Sequence, residues 1–211
     1  MLLPIIFCYI SMDQGLPNIK QNCKGIKKMN GHHLILGELK DFITGKTLED
    51  THDERYRQKI ARFLLEEKGF SRDSIRSRVE LLVEANNRRA IIKIDFLVSN
   101  SGKTGMLIKY GPGSIITRHR LSLSASRITE NYQIPVVVVT NGEQADILNG
   151  TTGKIINKGI DNIPSKVELD KIMKAFDFKQ IDKKRKKMES KILFAFEVDG
   201  RCPCDDDICF I

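Results

Sequence analysis

The stretch AIIKIDFLVSNSGKTGMLIKYGPGS, residues 90–114, decides the fold. It holds two apolar runs that are separated by the turn-forming residues Asn100–Lys103 and closed by Gly-Pro-Gly. This pattern predicts two neighbouring strands joined by a short turn. Strict alternation along the first strand predicts that the even-numbered residues from Ile92 to Val98 share one face, opposite Asp95 and Leu97.

A helix and a further strand are predicted upstream of this stretch. Residues 51–70 carry apolar side chains at helical spacing, and Thr51 with Glu54 forms a capping-box pattern at the start. Between this helix and the quoted stretch, another apolar run ends at Asn86-Asn87, a hairpin signal. The upstream half therefore supplies a helix and the first strand of a three-stranded meander.

A helix and a buried strand are predicted downstream. Apolar side chains between residues 116 and 132 recur at helical spacing, with Thr117 as the expected cap. The uninterrupted β-branched run at residues 134–139 is typical of a strand that is buried on both faces. The complete order, α-β-β-β-α-β, predicts an α/β fold with a mixed β-sheet flanked by helices.

The remaining segments surround this core. A hairpin that turns at Asn149-Gly150 is expected next, followed by helices at residues 164–177 and 178–196. The chain divides into a poorly specified N-terminal extension (1–50), the core (51–160), a helical C-terminal appendage (161–198) and a Cys-rich tail (199–211).

The composition narrows the functional classes. A net charge of +8 and a pI of 9.2 favour an acidic partner, with nucleic acid as the first candidate, although many basic proteins have no such partner. The apolar start covers about ten residues, too few to span a bilayer, so no membrane partner and a cytoplasmic location are expected. The sequence shows no Walker-type phosphate loop and no nucleophile elbow.

Asp95 is the first candidate for chemistry. A carboxylate inside an apolar strand is costly unless it is paired or binds a cation. Lys109 ends the neighbouring strand and is expected to face Asp95, while Glu54 and Glu80 could reach the same place. Carboxylates around a lysine suit Mg²⁺ and phosphodiester hydrolysis. For Glu54, a purely structural role in the capping box explains the residue equally well.

Four stretches carry a family resemblance: DERYRQKIARFLLEEKGF, IIKIDFLVS, MLIKYGPGS and IPVVVVTNGEQADILNGTTGKII. They resemble the N-terminal nuclease domain of type I restriction enzyme R subunits, within the PD-(D/E)xK restriction-endonuclease-like superfamily. The resemblance covers about residues 51–156. It implies a restriction-endonuclease-like three-layer core and a DNA-directed hydrolase that uses Mg²⁺.

The resemblance assigns site residues unevenly. Asp95 matches the metal-binding aspartate and Glu54 the glutamate of the first helix, but the E-x-K motif falls on Lys109-Tyr110-Gly111. Exchanging a ligand carboxylate for an ammonium costs several kcal/mol at an effective dielectric of ~20, about a thousandfold in metal affinity. Whether the chain is an enzyme is therefore left open.

Three interpretations follow for this site. It is a DNA-binding site without catalysis, or an active Mg²⁺-dependent endonuclease in which Lys109 replaces the lost lysine and Glu80 or Glu54 the lost carboxylate. Alternatively, Asp95 and Lys109 form a structural pair with no functional site.

Two basic segments are candidate phosphate contacts. Arg118, His119 and Arg120 open a predicted helix, where free N–H groups also attract anions. Lys183, Lys184 and Arg185 begin a run of five cations. Each segment is also explained as an ordinary solvated basic surface.

The tail places Cys202, Cys204 and Cys209 within eight residues, which suggests Zn²⁺ or an iron–sulfur cluster. A fourth ligand would come from Cys23 or a histidine, and reactive or incidental thiols are the alternative. The tail motivates a third functional hypothesis, a metal-binding interaction or sensor protein. Self-association into a homo-oligomer is left open.

Overall fold

A computed structural model describes residues 34–199 and the backbone of Cys209–Phe210. The strands are β1 (Glu38–Lys40), β2 (Thr47–Glu49), β3 (Ile75–Ala85), β4 (Arg88–Asn100), β5 (Lys103–Tyr110), β6 (Val136–Thr140), β7 (Ala145–Asn149), β8 (Ile155–Lys158) and β9 (Cys209–Phe210). The helices are α1 (His52–Glu66), α2 (His119–Thr129), α3 (Lys166–Ala175) and α4 (Lys183–Leu193). The series α1-β3-β4-β5-α2-β6 is the α-β-β-β-α-β order that the sequence predicts.

The main sheet is mixed, as predicted. Its strands lie in the order β3-β4-β5-β6-β7-β8, and β9 pairs with β4 beside Ala90 and Ile91. Only β5 and β6 are parallel among the described pairs, because α2 connects them as a crossover. Asn86 and Asn87 both have positive φ at the β3–β4 turn, which is the backbone that the Asn-Asn signal favours. Strands β1 and β2 form a separate hairpin.

Two apolar cores cover the two faces of this sheet. Helices α2 and α4 pack on one face, where Leu107, Val137 and Leu193 are fully buried. Helices α1 and α3 pack on the other, with Leu64 and Ile108. Burying a side chain of this size contributes about 1.5–3 kcal/mol, so both faces stabilise the fold. The result is the predicted three-layer architecture, and no helix within residues 34–199 is long and apolar enough to cross a membrane.

Strand β4 departs from the predicted alternation at Asp95. Ile92 and Ile94 pack in the α2–α4 core, but Phe96 and Val98 pack in the α1–α3 core, so these four residues do not share one face. The prediction was wrong because the ladder to β3 is interrupted between the pairs Ile94–Val79 and Phe96–Ser77. At this point Arg78 of β3 has φ 50, a left-handed backbone that distorts a strand.

A side-chain cap sets the start of α1 but not the start of α2. The Thr51 hydroxyl accepts a hydrogen bond from the Glu54 amide at 3.1 Å, so the Thr51 half of the predicted capping box forms, whereas the Glu54 carboxylate contacts Gln58 and Arg78 instead. Thr117, however, does not cap α2: it lies in a 3₁₀ turn, and its hydroxyl donates to the Ser114 carbonyl instead. Helix α2 begins two residues later, at His119.

Helix α4 is shorter than the predicted helix at residues 178–196. Its N-cap is Asp182, whose carboxylate accepts from the Arg185 amide. The segment before it stays extended because the Ile181 amide donates to the Asn131 carbonyl and Lys179 accepts from the Gln133 amide. After Leu193 the chain continues as a π-helical turn, Phe194–Asp199.

Candidate functional site

Asp95 lies in β4 at the point where the ladder to β3 is interrupted, and its carboxylate points towards α1. Only 7% of the residue is exposed, and both carboxylate oxygens have a donor. Arg57 Nε donates to Oδ1 at 2.7 Å, and the Tyr110 amide donates to Oδ2 at 2.8 Å. The charge of this buried carboxylate is therefore compensated within the protein.

Glu54 lies beside this pair on α1. It is 6% exposed, and its carboxylate accepts from Gln58 Nε2 at 2.7 Å and from the Arg78 guanidinium. Its second oxygen lies 3.8 Å from Arg57 Nη1. The Glu54 amide thus completes the Thr51 cap, while the Glu54 side chain turns towards the arginines.

Arg78 links the main sheet to the β1–β2 hairpin. Its guanidinium donates to the carboxylates of both Asp41 and Glu54. Burial alone raises the pKa of Asp41, but the hydrogen bond from the Ile43 amide and the charge of Arg78 outweigh it, so this pKa lies below its ordinary value. The left-handed backbone of Arg78 accompanies these two charge-assisted contacts.

An aromatic layer covers the Arg57 guanidinium. Its Cζ lies 5.1 Å from the centroid of the Tyr110 ring, and Tyr56 stacks on Tyr110 with 6.0 Å between centroids. The Tyr110 hydroxyl donates to Asp53 at 2.9 Å. Burial, and then the Asp53 carboxylate, raise the pKa of Tyr110, so the phenol stays a neutral hydrogen-bond donor. We call the group of Asp41, Asp53, Glu54, Arg57, Arg78, Asp95 and Tyr110 the acidic cluster.

Lys109 lies on the opposite face of the sheet. Its ammonium donates to the Lys93 carbonyl at 3.0 Å and lies 3.5 Å from the Glu197 carboxylate. The expectation that Lys109 faces Asp95 was wrong, and within residues 34–199 no ion pair joins them. The physical reason is the interruption of the ladder between β3 and β4, because it turns the Asp95 side chain towards α1. The Lys109 side chain keeps the orientation of Leu107, towards α2 and α4.

Gly111 and Glu80, the other two positions considered for this site, contribute no side chain to the acidic cluster. A Cβ atom at Gly111 would lie only 2.5 Å from Arg118 Cζ, so the Arg118 guanidinium covers this glycine. Arg118 also donates to the Pro112 carbonyl at 2.7 Å. Glu80 is exposed and lies opposite Lys93 in the β3–β4 ladder. The structure thus brings Glu54 and Asp95 together but not Lys109 or Glu80.

A second group of charges lies between α2 and α4. Glu189 is fully buried and accepts from Arg120 at 2.6 Å, from Arg127 at 2.9 Å and from Arg185 at 2.6 Å. Burial raises its pKa, but the bonds from Arg120, Ser124 and Arg185, with the charge of Arg127, lower it to about 2. We call Glu189 and its three arginines the basic cluster.

The comparison with protein families identifies the domain. The family described as "Type I restriction enzyme R protein N terminus" matches residues 52–164, more than half of the chain. The chain belongs to this family. No curated protein and no solved structure matches it. The match spans α1 to the segment before α3, which includes both strands around Asp95.

The donor set of this R-protein N-terminal domain does not fit the expected divalent ion. Both Asp95 oxygens and one Glu54 oxygen accept hydrogen bonds from N–H groups, and no three His, Cys, Asp or Glu side chains in the described part of the chain are grouped as a metal site. The Cys-rich tail, with Cys202, Cys204 and Cys209, lies outside the residues whose side chains are described.

The residues predicted to contact phosphate differ in their contacts within the protein and in their exposure. Besides Arg118, His119 is held by Asp146, with 2.8 Å between Nε2 and Oδ2. Arg120 and Arg185 belong to the basic cluster but are 44% and 43% exposed. Lys183 and Lys184 are exposed at the start of α4.

The sequence interpretation missed Arg57, Arg78, Tyr110 and Asp53 as parts of the acidic cluster. One signal was available for Arg57, because it lies three residues after Glu54 on the same helix face. Arg78 carried no such signal, since its contacts to Asp41 and Glu54 join residues that lie far apart in sequence.

Proposed function

We propose that this domain binds DNA through the side of α4 and the start of α2, and that it does not cleave the bound DNA. Membership of the R-protein N-terminal family and the net charge of +8 support a DNA partner. The observation that carries the proposal is an exposed basic surface formed by Lys183, Lys184, Lys187, Arg120 and Arg185, which we call the α4 surface.

Lys187 lies three residues after Lys184 and four after Lys183, so it neighbours both of these lysines on the surface of the helix. No acid within residues 34–199 forms an ion pair with Lys183, Lys184 or Lys187. Cations in a first helical turn also oppose the helix dipole. Local helix energetics therefore disfavour this arrangement, whereas contact with phosphates offsets the cost.

The arginines extend the same surface. A guanidinium carries five N–H donors, and the contacts to Glu189 and Ser124 use only part of those on Arg120 and Arg185. One carboxylate shared by three arginines leaves an excess of positive charge. Phosphate oxygens are suited to accept the remaining bonds.

The proposal of no cleavage is supported by the acidic cluster. Hydrolysis by a metal ion needs oxygen ligands and a group that positions the attacking water. Both Asp95 oxygens and one Glu54 oxygen accept hydrogen bonds from N–H groups, the second Glu54 oxygen lies 3.8 Å from Arg57 Nη1, and Lys109 lies on the other face of the sheet. Gly111, at the family's lysine position, has no side chain to contribute.

Binding is tested with a fluorescently labelled DNA duplex, by anisotropy at several salt concentrations. We expect the variant Lys183→Ala/Lys184→Ala/Lys187→Ala to bind at least tenfold more weakly and its salt slope to fall by about three. The charge-matched control changes Lys154, Lys166 and Lys171, three exposed lysines elsewhere, to Ala. Equal losses in both variants, or no binding by the wild type at moderate salt, contradict the proposed surface.

Cleavage is tested on the same duplex with Mg²⁺ and with Mn²⁺. We expect intact DNA after prolonged incubation with the wild type. Cleavage that is abolished by Asp95→Ala would overturn the second half of the proposal and favour an active endonuclease with a rearranged site.

A further inference from the structure

We infer that Arg57 acts as an internal cation that occupies the space between Asp95 and Glu54 and keeps metal ions out of the acidic cluster. This inference rests on the proposed absence of cleavage and explains it by one side chain. It also predicts that removing the Arg57 guanidinium creates a binding site for hard metal cations.

The geometry places one guanidinium against both carboxylates. Arg57 Nε donates to Asp95 Oδ1 at 2.7 Å, and its Nη1 lies 3.8 Å from Glu54 Oε2. The other oxygens are held separately, Asp95 Oδ2 by the Tyr110 amide and Glu54 Oε1 by Gln58 and Arg78. Without Arg57, one oxygen of each carboxylate would lose this cation while the remaining bonds still fixed the orientation of both groups.

The charge balance favours a replacement cation. The acidic cluster holds four carboxylates and two guanidinium groups: three of the carboxylates contact Arg57 or Arg78, and the fourth, Asp53, accepts from the Tyr110 hydroxyl. Loss of Arg57 leaves two buried carboxylates next to each other with a single cation nearby. Such a pair either takes up a proton or binds a cation. Carboxylate oxygens are ligands for Mg²⁺, Mn²⁺, Ca²⁺ and the similarly hard lanthanides.

Arg78 provides the matched control within the same cluster. It joins Glu54 to Asp41, and Asp95 is held by Arg57. Removing Arg78 therefore deletes an equal charge but leaves the Asp95–Arg57 contact intact. Glycine is the suitable replacement, because residue 78 has φ 50 and glycine adopts that backbone without strain.

The experiment uses Tb³⁺ as the metal, detected by its luminescence after excitation of tyrosine. The chain has no tryptophan, and the Tyr110 ring lies 5.1 Å from Arg57 Cζ, so it is the natural energy donor for an ion at this place. We expect Arg57→Ala to show a saturable signal at least tenfold above the wild type, competed by excess Mn²⁺. The wild type, Arg57→Lys and Arg78→Gly are expected to lack this signal.

Two further variants make the result specific. Arg57→Ala/Asp95→Asn should lose the new signal, whereas unspecific binding elsewhere would persist in it. Arg57→Gln keeps an amide donor and should also gain the signal, which tests the inference if Arg57→Ala does not fold by circular dichroism. A folded Arg57→Ala or Arg57→Gln without Asp95-dependent Tb³⁺ binding overturns the inference.

The outcomes separate this inference from the proposed function. If the wild type cleaves no DNA and the folded Arg57 variants show no Tb³⁺ luminescence, only the proposed role of Arg57 is contradicted. Wild-type protein with Asp95-dependent Tb³⁺ binding contradicts both the inference and the support for a non-cleaving site. DNA binding measured without metal should be unchanged in Arg57→Ala, since the α4 surface lies on the other face of the sheet.

Discussion

Two arginine–carboxylate clusters lie on opposite faces of one sheet, and their charge balances are opposite. The acidic cluster contains four carboxylates and two guanidinium groups. In the basic cluster, the single carboxylate of Glu189 is shared by three guanidinium groups. Asp41, Glu54 and Asp95 are buried in the first cluster and Glu189 in the second, yet the first cluster has spare negative charge and the second has spare positive charge.

This difference in charge balance indicates which kind of ligand each face of the sheet can attract. A cluster with excess carboxylate attracts cations, and here two arginines of the chain itself meet that demand. A cluster with excess guanidinium attracts anions, and its partly exposed Arg120 and Arg185 leave N–H donors for phosphate. The family's expected metal chemistry and the proposed DNA contact are thus separated by the sheet.

The largest expected effect comes from removing the only acid of the basic cluster. Glu189→Gln leaves Arg120, Arg127 and Arg185 close together without a counter-charge. We expect the free energy of unfolding to fall by about 3–5 kcal/mol, the usual cost of breaking a buried ion pair by deleting one partner. Urea denaturation at pH 7 measures this loss.

A surface acid supplies the control for this measurement. Glu84 forms an exposed ion pair with Arg89, so Glu84→Gln should cost less than about 1 kcal/mol. If the Glu189 and Glu84 variants lose similar stability, the basic cluster is not an integrated structural unit.

The same cluster predicts a dependence of stability on pH. The pKa of Glu189 falls from an ordinary 4.5 to about 2 in the folded protein. Its stabilising contribution is therefore complete above pH 4.5 and is lost as the pH falls through about 2. We expect the difference in the free energy of unfolding between the wild type and Glu189→Gln, measured by urea denaturation from pH 6 to pH 2.5, to become smaller as the pH falls. Asp41 also has a lowered pKa, but it is present in both proteins and cancels. A difference that is constant over this range contradicts the proposed ionisation.

A smaller effect is expected in the acidic cluster. Asp95→Asn still leaves Glu54 and Asp41 in contact with Arg57 or Arg78, and the amide oxygen of the new side chain can accept the bond from the Tyr110 amide. We expect the free energy of unfolding to fall by about 1–2 kcal/mol, mainly because the amide NH2 cannot accept the hydrogen bond that Arg57 Nε donates to Asp95. Urea denaturation beside Glu189→Gln tests the comparison directly. If Asp95→Asn costs as much as Glu189→Gln, charge balance does not distinguish the clusters.

Local chemistry made most of the fold predictable. The positive φ values at Asn86 and Asn87, the buried run Val136–Thr140 and the cap at Thr51 all follow from preferences within a few residues. The interruption of the β3–β4 ladder at Arg78 was not predictable in this way, because arginine has no local preference for a backbone with φ 50. It accompanies contacts to Asp41 and Glu54, which no short sequence window contains.

The site was predictable to the same extent. The cost of a carboxylate in an apolar strand pointed to Asp95, and the place of Glu54 at the start of the first helix, together with the family resemblance, pointed to Glu54. The sequence interpretation placed Lys109 beside Asp95 because strict alternation puts both side chains on one face of the sheet. The interrupted ladder at Asp95 breaks this alternation, so the two side chains lie on opposite faces. The Arg57 and Arg78 contacts form only when α1, β3 and β4 have assembled.

The smallest effect concerns Arg118, an arginine that belongs to neither cluster. Its guanidinium covers Gly111, where a Cβ atom would lie 2.5 Å from Cζ. Gly111→Ala must displace this flexible side chain, and we expect a loss of about 1 kcal/mol, the low end of overpacking costs. Urea denaturation of Gly111→Ala, Arg118→Ala and the double variant completes a double-mutant cycle. With Arg118 already truncated, adding the methyl group should cost nothing measurable. An unchanged cost in that background would show that the backbone at residue 111, rather than the cover by Arg118, requires glycine.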